Sequence, residues 1–237
     1  MAALAGKRCL ITGASGGLGE ELARKFGGLG CRLILTGRTE KKLRAVAERL
    51  ESSARVENCV AADFRVKADL EGLIESVVTT IGGLDVLINN AGVFPVGSLN
   101  TLSPAELDGC LEVNLRSAIL LCRAFAPAMA EAGWGRIVNI ASSSAYAGFA
   151  NTAAYCASKH GLLGFSRALD DELRGRGVRV IAVSPGSIKT PMGRKVRGQT
   201  YETFMDPREV ADVIGDVASL DGSIVISEVR LGRAVMG

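Results

Sequence analysis

A tyrosine and a lysine stand four positions apart in the segment 152–173, TAAYCASKHGLLGFSRALDDEL. If this segment is a helix, Tyr155 and Lys159 share one face of it. A tyrosine phenol has an ordinary pKa of about 10, and a cation a few ångströms away favours the phenolate and lowers that pKa. The pair is therefore expected to exchange protons nearer neutral pH. The spacing alone is not specific, because most such pairs are coincidences on a protein surface.

Glycines crowd the first turn of the chain, in TGASGGLG at 12–19. Gly13 directly follows an apolar run, and Gly17 and Gly19 open a segment of helical periodicity. Glycine lets the backbone approach a phosphate closely, and a helix N-terminus supplies free N–H groups and partial positive charge. The turn therefore predicts a site for a dinucleotide pyrophosphate. A tight turn that needs glycine only for packing is the alternative.

The elements that position these residues follow from an alternation along the chain. Short apolar runs occur at 8–12, 32–36, 56–63, 84–90, 135–142, 177–185 and 223–231, with helical periodicity between them. Continuous apolar runs favour strands buried on both faces. We therefore predict an α/β fold: one Rossmann-type, doubly wound sheet of about seven parallel strands, with helices on both faces. Ligands of such a sheet lie at the carboxyl ends of its strands.

Two helix starts carry capping signals. Ser103 is followed by Pro104 and, three residues after the serine, by Glu106, which predicts a capping box. Asp206, Pro207 and Glu209 repeat the arrangement. Both segments are expected to begin helices at these positions.

Composition bounds the remaining possibilities. The 237 residues are 48% hydrophobic and carry a net charge of only +3, so we expect one domain over 1–237 and no nucleic-acid surface. No apolar run approaches the ~18 residues of a spanning helix. The first apolar run begins too early to follow a signal peptide, and the six cysteines are scattered singly. We expect reduced thiols, a cytoplasmic location and no metal site, since His160 has no partner at ligand spacing.

Taken together, the motifs resemble the classical short-chain dehydrogenases/reductases over nearly the whole chain. They are TGASGGLG 12–19, NNAG 89–92, Asn114, Ser142, YCASK 155–159 and PG 185–186. The resemblance implies hydride transfer between a nicotinamide and a carbonyl or alcohol, with Asn114, Ser142, Tyr155 and Lys159 as the catalytic residues. In such enzymes the serine orients the substrate oxygen, and the asparagine relays protons through water to the lysine. By composition alone Ser143 and Ser144 compete with Ser142, and Asn114 can at the same time satisfy a break in its own helix.

The end of the second apolar run indicates which dinucleotide is bound. Where an acidic residue would accept hydrogen bonds from a ribose 2′-OH, this chain has Arg38. A guanidinium pairs with a 2′-phosphate, so we predict NADP(H), with Ser15 donating to the same phosphate. A solvated arginine is the alternative. By resemblance, the cofactor is held by Gly13, Ser15, Gly17, Leu18, Gly19, Arg38, Asp63, Phe64, Asn89, Ala91, Gly92, Tyr155, Lys159, Pro185, Gly186, Ile188 and Thr190. Asn90 is a candidate bridge between strands.

Substrate choice is expected to depend on 190–205, which in similar enzymes is a mobile lid, and on residues near 93–98 and 143–152. Arg194, Lys195 and Arg197 could meet an acidic substrate, although an ordinary exposed charge run is the favoured interpretation. Apolar cover is offered by Met192, Tyr201, Phe204 and Met205. We expect the substrate to be a small carbonyl compound or alcohol.

Other functions and the assembly remain open. A dinucleotide sensor without turnover, an NAD-dependent alcohol dehydrogenase of the same family, and a nucleotide-sugar epimerase or dehydratase are the alternatives. The apolar helices around 104–132 and 152–174 predict a homodimer or homotetramer. The C-terminal GSIVISEVRLGRAVMG lacks the paired glycines of many similar proteins, which puts one of their usual subunit contacts in doubt.

Overall fold

The computed structural model describes residues 3–50 and 54–234. Seven parallel strands form one sheet, in the order β3-β2-β1-β4-β5-β6-β7. The strands are β1 Arg8–Thr12, β2 Arg32–Gly37, β3 Arg55–Ala61, β4 Val86–Asn89, β5 Gly135–Ile140, β6 Val178–Pro185 and β7 Glu228–Leu231. The predicted doubly wound sheet is confirmed. The strand order reverses between β1 and β4, where such sheets open a ligand crevice.

Helices cover both faces of the sheet. They are α1 Gly17–Gly28, α2 Glu40–Arg49, α3 Lys67–Ser76, α4 Pro104–Leu111, α5 Ser117–Glu131, α6 Ala153–Leu173 and α7 Pro207–Ala218. Successive residues of a strand point to opposite faces, so Ile11 packs with Phe26 of α1 and Ile214 of α7. Leu10, on the other face, packs in the cluster that contains Phe125 of α5 and Leu173 of α6. The two cores hold the strand ends, and the turns that follow them, in fixed positions.

The two predicted helix caps differ in the structure. Ser103 and Glu106 form the complete capping box at the start of α4, as predicted. At α7, Asp206 accepts a hydrogen bond from the backbone N–H of Arg208, but Glu209 does not return one to the cap. The predicted start of α7 is therefore confirmed, and the predicted capping box at that helix was wrong.

The last strand is shorter than the apolar run 223–231 suggested. It begins at Glu228, because the guanidinium of Arg179 takes the carbonyl oxygens of Leu220 and Gly222 and holds the preceding chain as a loop. Ile224 on that loop is 68% exposed. No helix in the described ranges has the length and apolar character needed to cross a membrane.

Candidate functional site

A cavity of about 570 Å³ opens along the carboxyl ends of β1 to β6. Each of these strands delivers residues to its wall from the turn that follows it. The cavity lies where the strand order predicted a crevice, and its size suits a small-molecule or cofactor site.

The glycine turn forms the floor of this cavity. Gly13 has φ +66, and a Cβ there would lie 2.9 Å from the Cα of Ala91. Gly17 has φ +30, and its Cβ would lie 2.6 Å from Cγ2 of Thr190. Helix α1 begins at this turn without a side-chain cap, so backbone N–H groups of its first turn face the cavity. Gly13 and Gly17 thus allow close packing of Ala91 and Thr190, whereas a Cβ on Gly16, which lines the cavity, would meet nothing within 4 Å, so the space beside the helix N-terminus is open there.

Asn90 ties the first and fourth strands together. Its Nδ2 donates to the carbonyl oxygen of Thr12 at 2.9 Å, and the Thr12 hydroxyl accepts from the backbone N–H groups of Asn90 and Ala91, both at 2.9 Å. The interpretation of Asn90 as a bridge between strands is confirmed. The neighbouring Asn89 points the other way and donates to Oδ1 of Asn139 at 2.8 Å.

Three charged residues lie at the ends of β2 and β3. Arg38 lines the cavity and makes no hydrogen bond or ion pair with the described part of the chain. Asp63 pairs with Arg65 at 2.5 Å, and the hydrogen bonds from Arg65 lower the pKa of Asp63 to about 2. The sequence analysis missed Arg65, although it follows Asp63 by two positions. The charge of Arg38 also contributes to lowering the pKa of Asp63, but its hydrogen-bond donors remain available for an anion.

Tyr155 and Ser142 meet on the opposite wall. Burial raises the pKa of Tyr155 to about 12, and a hydrogen bond with the Ser142 side chain acts in the opposite direction. The ring of Phe94 packs edge-on against the Tyr155 ring, with centroids 4.7 Å apart. The expected lowering of this pKa was wrong: Lys159 Nζ lies 5.8 Å from the ring centre, and burial outweighs its influence.

Lys159 is a buried cation with much of its hydrogen-bonding capacity free. Its Nζ donates to the carbonyl oxygen of Ile140 at 2.7 Å, and an ammonium can donate three bonds. Burial lowers the pKa of Lys159 to about 8. The group also lines the cavity, so its remaining donors can meet a ligand there.

Asn114 lies one layer behind the cavity wall, in a π-helical turn, Glu112–Arg116, between α4 and α5. Its Oδ1 accepts from the backbone N–H of Val93 at 2.7 Å, and its Nδ2 donates to the Val93 carbonyl at 2.9 Å and to Ser158 Oγ at 3.0 Å. The break in the helix exists, but Asn114 does not satisfy it: its amide holds the loop after β4. Such π turns are frequent at functional sites.

The segment 190–205, predicted to be a lid, has its two ends joined. Ile188 and Met205 form an isolated parallel bridge, with hydrogen bonds from the N–H of Lys189 to Met205 and from the N–H of Met205 to Ser187. Gly193 begins a short 3₁₀ turn. Its backbone N–H donates a 3.1 Å hydrogen bond to Thr190 Oγ1. These contacts fix both ends of the segment beside the cavity.

The structure brings most of the predicted site residues to one cavity. Its walls include Gly13, Ser15, Gly17, Leu18, Arg38, Asp63, Phe64, Ala91, Gly92, Ser142, Tyr155, Lys159, Pro185, Gly186, Ile188 and Thr190. Gly19, Asn89 and Asn114 do not reach the cavity surface. A Cβ on Gly19 would lie 2.1 Å from the Gly13 carbonyl oxygen, so its role is packing within the turn. Lining residues that the sequence analysis did not single out include Phe94, Val96, Phe149 and Asn151, for which only the ranges near 93–98 and 143–152 were a signal.

Comparison with known proteins agrees with this geometry. The family model described as short chain dehydrogenase matches residues 7–200. A 3-oxoacyl-(acyl-carrier-protein) reductase of Rickettsia typhi is 34% identical over 232 residues, which cover 94% of this chain and 93% of that protein.

Two solved structures are similar over almost their full lengths. A metagenomic short-chain oxidoreductase in complex with NADP is 39% identical, with a TM-score of 0.84, covering 98% of this chain and 100% of its own. A 3-ketoacyl-(acyl-carrier-protein) reductase from Brucella melitensis, complexed with NADH, is 28% identical, with a TM-score of 0.86, covering 96% of each chain. The chain belongs to the short-chain dehydrogenase/reductase family.

Proposed function

We propose that this protein is an NADP(H)-dependent oxidoreductase that interconverts a carbonyl compound and its alcohol. The observation that carries the proposal is that Tyr155, Ser142 and Lys159 line the same cavity as the glycine turn and Arg38. A proton donor and a dinucleotide site in one cleft are what hydride transfer to a carbonyl needs.

The residues present fit NADP(H). The open space at Gly16, beside the uncapped start of α1, suits a pyrophosphate. Arg38 has no ion pair among the described residues, which suits a 2′-phosphate. One solved relative holds NADP and another NADH, so for this chain the assignment rests on Arg38, with Ser15 beside it.

The chain's own groups handle the substrate oxygen and its proton. When bound, NADPH supplies the hydride that, with its electron pair, reduces the carbonyl carbon. Tyr155 donates its phenolic proton to the carbonyl oxygen, and its raised pKa keeps that proton available. Ser142 donates a hydrogen bond to the same oxygen and stabilises its developing charge. Lys159 binds the nicotinamide ribose and places a positive charge near the phenolate that remains.

Asn114 acts on this site through its neighbours. Its amide holds Val93, which lines the cavity, and Ser158, whose hydroxyl donates to the Tyr155 carbonyl oxygen at 2.7 Å. A Cβ on Gly92 would lie 3.4 Å from Asn114 Oδ1 and 3.9 Å from Lys159 Nζ, so both groups approach the same glycine. A water bound there would link Lys159 to Asn114 and serve the proton relay.

Calorimetric titration with NADPH and NADH tests the cofactor, and a screen of ketones, aldehydes and diketones with NADPH tests the reaction. We expect tight NADPH binding, weak NADH binding, and consumption of NADPH with at least one carbonyl class. Binding of NADPH without turnover of any carbonyl would favour the dinucleotide sensor. A preference for NADH would favour the NAD-dependent alcohol dehydrogenase, and binding of neither would remove the proposal.

We further infer a single catalytic domain with its lid at 190–205, acting in the cytoplasm as a homodimer or homotetramer. The cysteines in the described ranges are all free thiols, which suits a reducing compartment. Ile119 of α5 is half-buried and Gly164 of α6 is exposed, and a second copy could cover such helix surfaces. Light scattering on the purified protein measures its state of assembly.

A further inference from the structure

The wall of the cavity combines large apolar side chains with unpaired positive charge. Val96, Phe149 and Met192 line the cavity and are respectively 40%, 50% and 37% exposed. Large side chains with this exposure around a cleft favour contact with an apolar ligand. Phe94, packed on the Tyr155 ring, continues the apolar wall toward the reacting carbonyl.

Two cations of the segment that follows β6 line the same cavity. Lys195 and Arg197 line it, whereas Lys189 and Arg194 on the same segment do not. Neither side chain forms a hydrogen bond or ion pair with the described residues, while Arg194 stacks over the Tyr201 ring at 4.4 Å. The structure therefore separates the basic run into residues that face the cleft and residues that do not.

The position of these two cations is set by hydrogen bonds on either side of them. Before them, Gly193 donates to Thr190 Oγ1, and a Cβ on Gly193 would lie 2.1 Å from the Ile188 carbonyl oxygen. After them, Gln199 Oε1 accepts a 2.7 Å hydrogen bond from Ser187. The segment 194–198 is thus held against the cavity at both ends.

Among the described residues that line the cavity, no unpaired acidic side chain offsets the positive charge of Lys195 and Arg197. Of the described residues that line the cavity, Asp63 is the acidic one, and it is paired with Arg65 at the far end. Between 189 and 205 the sequence has four basic residues and one acidic residue, Glu202, which does not line the cavity. A cleft with charge of one sign concentrates ligands of the opposite sign.

We propose that the substrate is a carbonyl compound whose apolar chain ends in an anion, a carboxylate or a phosphate ester, held by Lys195 and Arg197. This inference rests on the proposed reductase function and names its substrate class. The chain packs against Val96, Phe149 and Met192 while the carbonyl lies at Ser142 and Tyr155. Lys195 and Arg197 are both exposed, so an ordinary exposed charge run is the alternative that the experiments below must exclude.

Matched substrates test the anion. Levulinate and its methyl ester, with longer homologues, differ only in the carboxylate. Acetoacetyl-4′-phosphopantetheine and acetoacetyl-pantetheine share the reacting ketone and its thioester and differ only in the phosphate. We expect a lower KM for the anion within at least one pair, and a KM that rises with added salt for the anion alone. The pair that shows the difference identifies the source of the anion.

Matched variants test the residues. The double variant Lys195→Ala/Arg197→Ala should raise the KM of the anion about tenfold, leaving kcat and the KM of the neutral partner unchanged, as expected when uniform binding is lost. The control Lys189→Ala/Arg194→Ala removes the same charge from the same segment, 189–205, at positions that do not line the cavity, and should change neither KM.

The failures are distinguishable. Equal KM values for anion and neutral partner in the wild type, or an equal rise for both in the variant, would overturn the inference while the reductase function stands. The double variant could instead bind NADPH more weakly while its KM for the anionic substrate stays lower than its KM for the neutral partner. That result would assign Lys195 and Arg197 to the cofactor. If the wild type reduces no carbonyl compound at all, the proposed function fails and the inference fails with it.

Discussion

The side-chain amide of Asn114 donates a 3.0 Å hydrogen bond to the hydroxyl of Ser158. Both side chains are buried, at 1% and 0% exposure, and Ser158 passes the contact on by donating to the Tyr155 carbonyl oxygen. The π turn after α4 and the first turns of α6 are thereby joined directly beneath the phenol. In the proposed mechanism Ser158 is a positioning residue, because it contacts the backbone of the proposed proton donor Tyr155.

Ser158→Ala should lower both stability and turnover. A buried amide hydrogen of Asn114 loses its partner, which costs about 1–3 kcal/mol, and Tyr155 loses an anchor. We expect kcat to fall about tenfold with the Kd of NADPH unchanged. Chemical denaturation and steady-state kinetics measure the two effects.

Ser166→Ala is the matched control for that variant. Ser166 lies on the same helix, accepts from Asn139 Nδ2 at 2.9 Å and donates to the Leu162 carbonyl oxygen, but does not line the cavity. It should lose similar stability and keep wild-type kcat. Equal losses of kcat in the two variants would assign Ser158 a purely structural role.

Tyr155→Phe should retain NADPH binding and lose turnover by about 10²–10⁴-fold, because the substrate oxygen has no acid. Tyr146→Phe is the control, since Tyr146 donates to Glu228 at 2.6 Å and lies outside the cavity wall. Stopped-flow or steady-state oxidation of NADPH measures both. Wild-type turnover in Tyr155→Phe would refute the assigned proton donor.

The pH dependence should differ between the two directions of reaction. Reduction needs Tyr155 protonated, and its pKa of about 12 keeps it so at neutral pH. Lys159 loses its charge as pH rises through about 8, so kcat/KM for reduction should be flat below that pH and fall above it. Alcohol oxidation needs the phenolate, so kcat/KM for oxidation should rise about tenfold per pH unit below pH ~8. A reduction profile still flat at pH ~10 would contradict the role of the ammonium group.

Arg38→Asp should weaken NADPH binding about 10- to 100-fold, the value of a charged hydrogen bond, and leave NADH binding nearly unchanged. Arg65→Ala should have a smaller effect, because its guanidinium is committed to Asp63. Calorimetry with both cofactors measures the preference. If Arg65→Ala proves the more damaging variant, the phosphate contact belongs at the end of β3.

Alanine substitutions of two glycines in the same turn should change different properties, NADPH binding in one case and the melting temperature in the other. A Cβ on Gly16 meets nothing within 4 Å of protein, whereas one on Gly19 meets the Gly13 carbonyl oxygen at 2.1 Å. Gly16→Ala should therefore keep the melting temperature and weaken NADPH binding, since Gly16 lines the cavity. Gly19→Ala should lower the melting temperature itself. Thermal melts with and without NADPH separate the two, and equal effects would mean that the turn serves packing alone.

Local patterns were enough to predict the sheet, the starts of the helices and most of the cavity wall. Apolar runs report burial, and turn residues after strands share one edge by topology. Sequence patterns could not predict the direction of individual side chains. Asn89 and Asn90 are adjacent, but only Asn90 hydrogen-bonds to β1, whereas Asn89 hydrogen-bonds to β5. The patterns also could not report burial at the site, which reverses the expected pKa shift of Tyr155. Lys195 and Arg194 are indistinguishable by composition, and only the folded lid separates them.

The bridge between Ile188 and Met205 brings the chain back to its starting point after the lid. Doubling the length of a flexible loop whose ends are already fixed adds only about 0.6 kcal/mol of closure entropy. Insertions and exchanges between these two residues can therefore accumulate without disturbing the sheet or the groups around Tyr155. Substrate preference and hydride chemistry can evolve as separate traits, so a descendant of this protein could acquire a new substrate by changing one short segment.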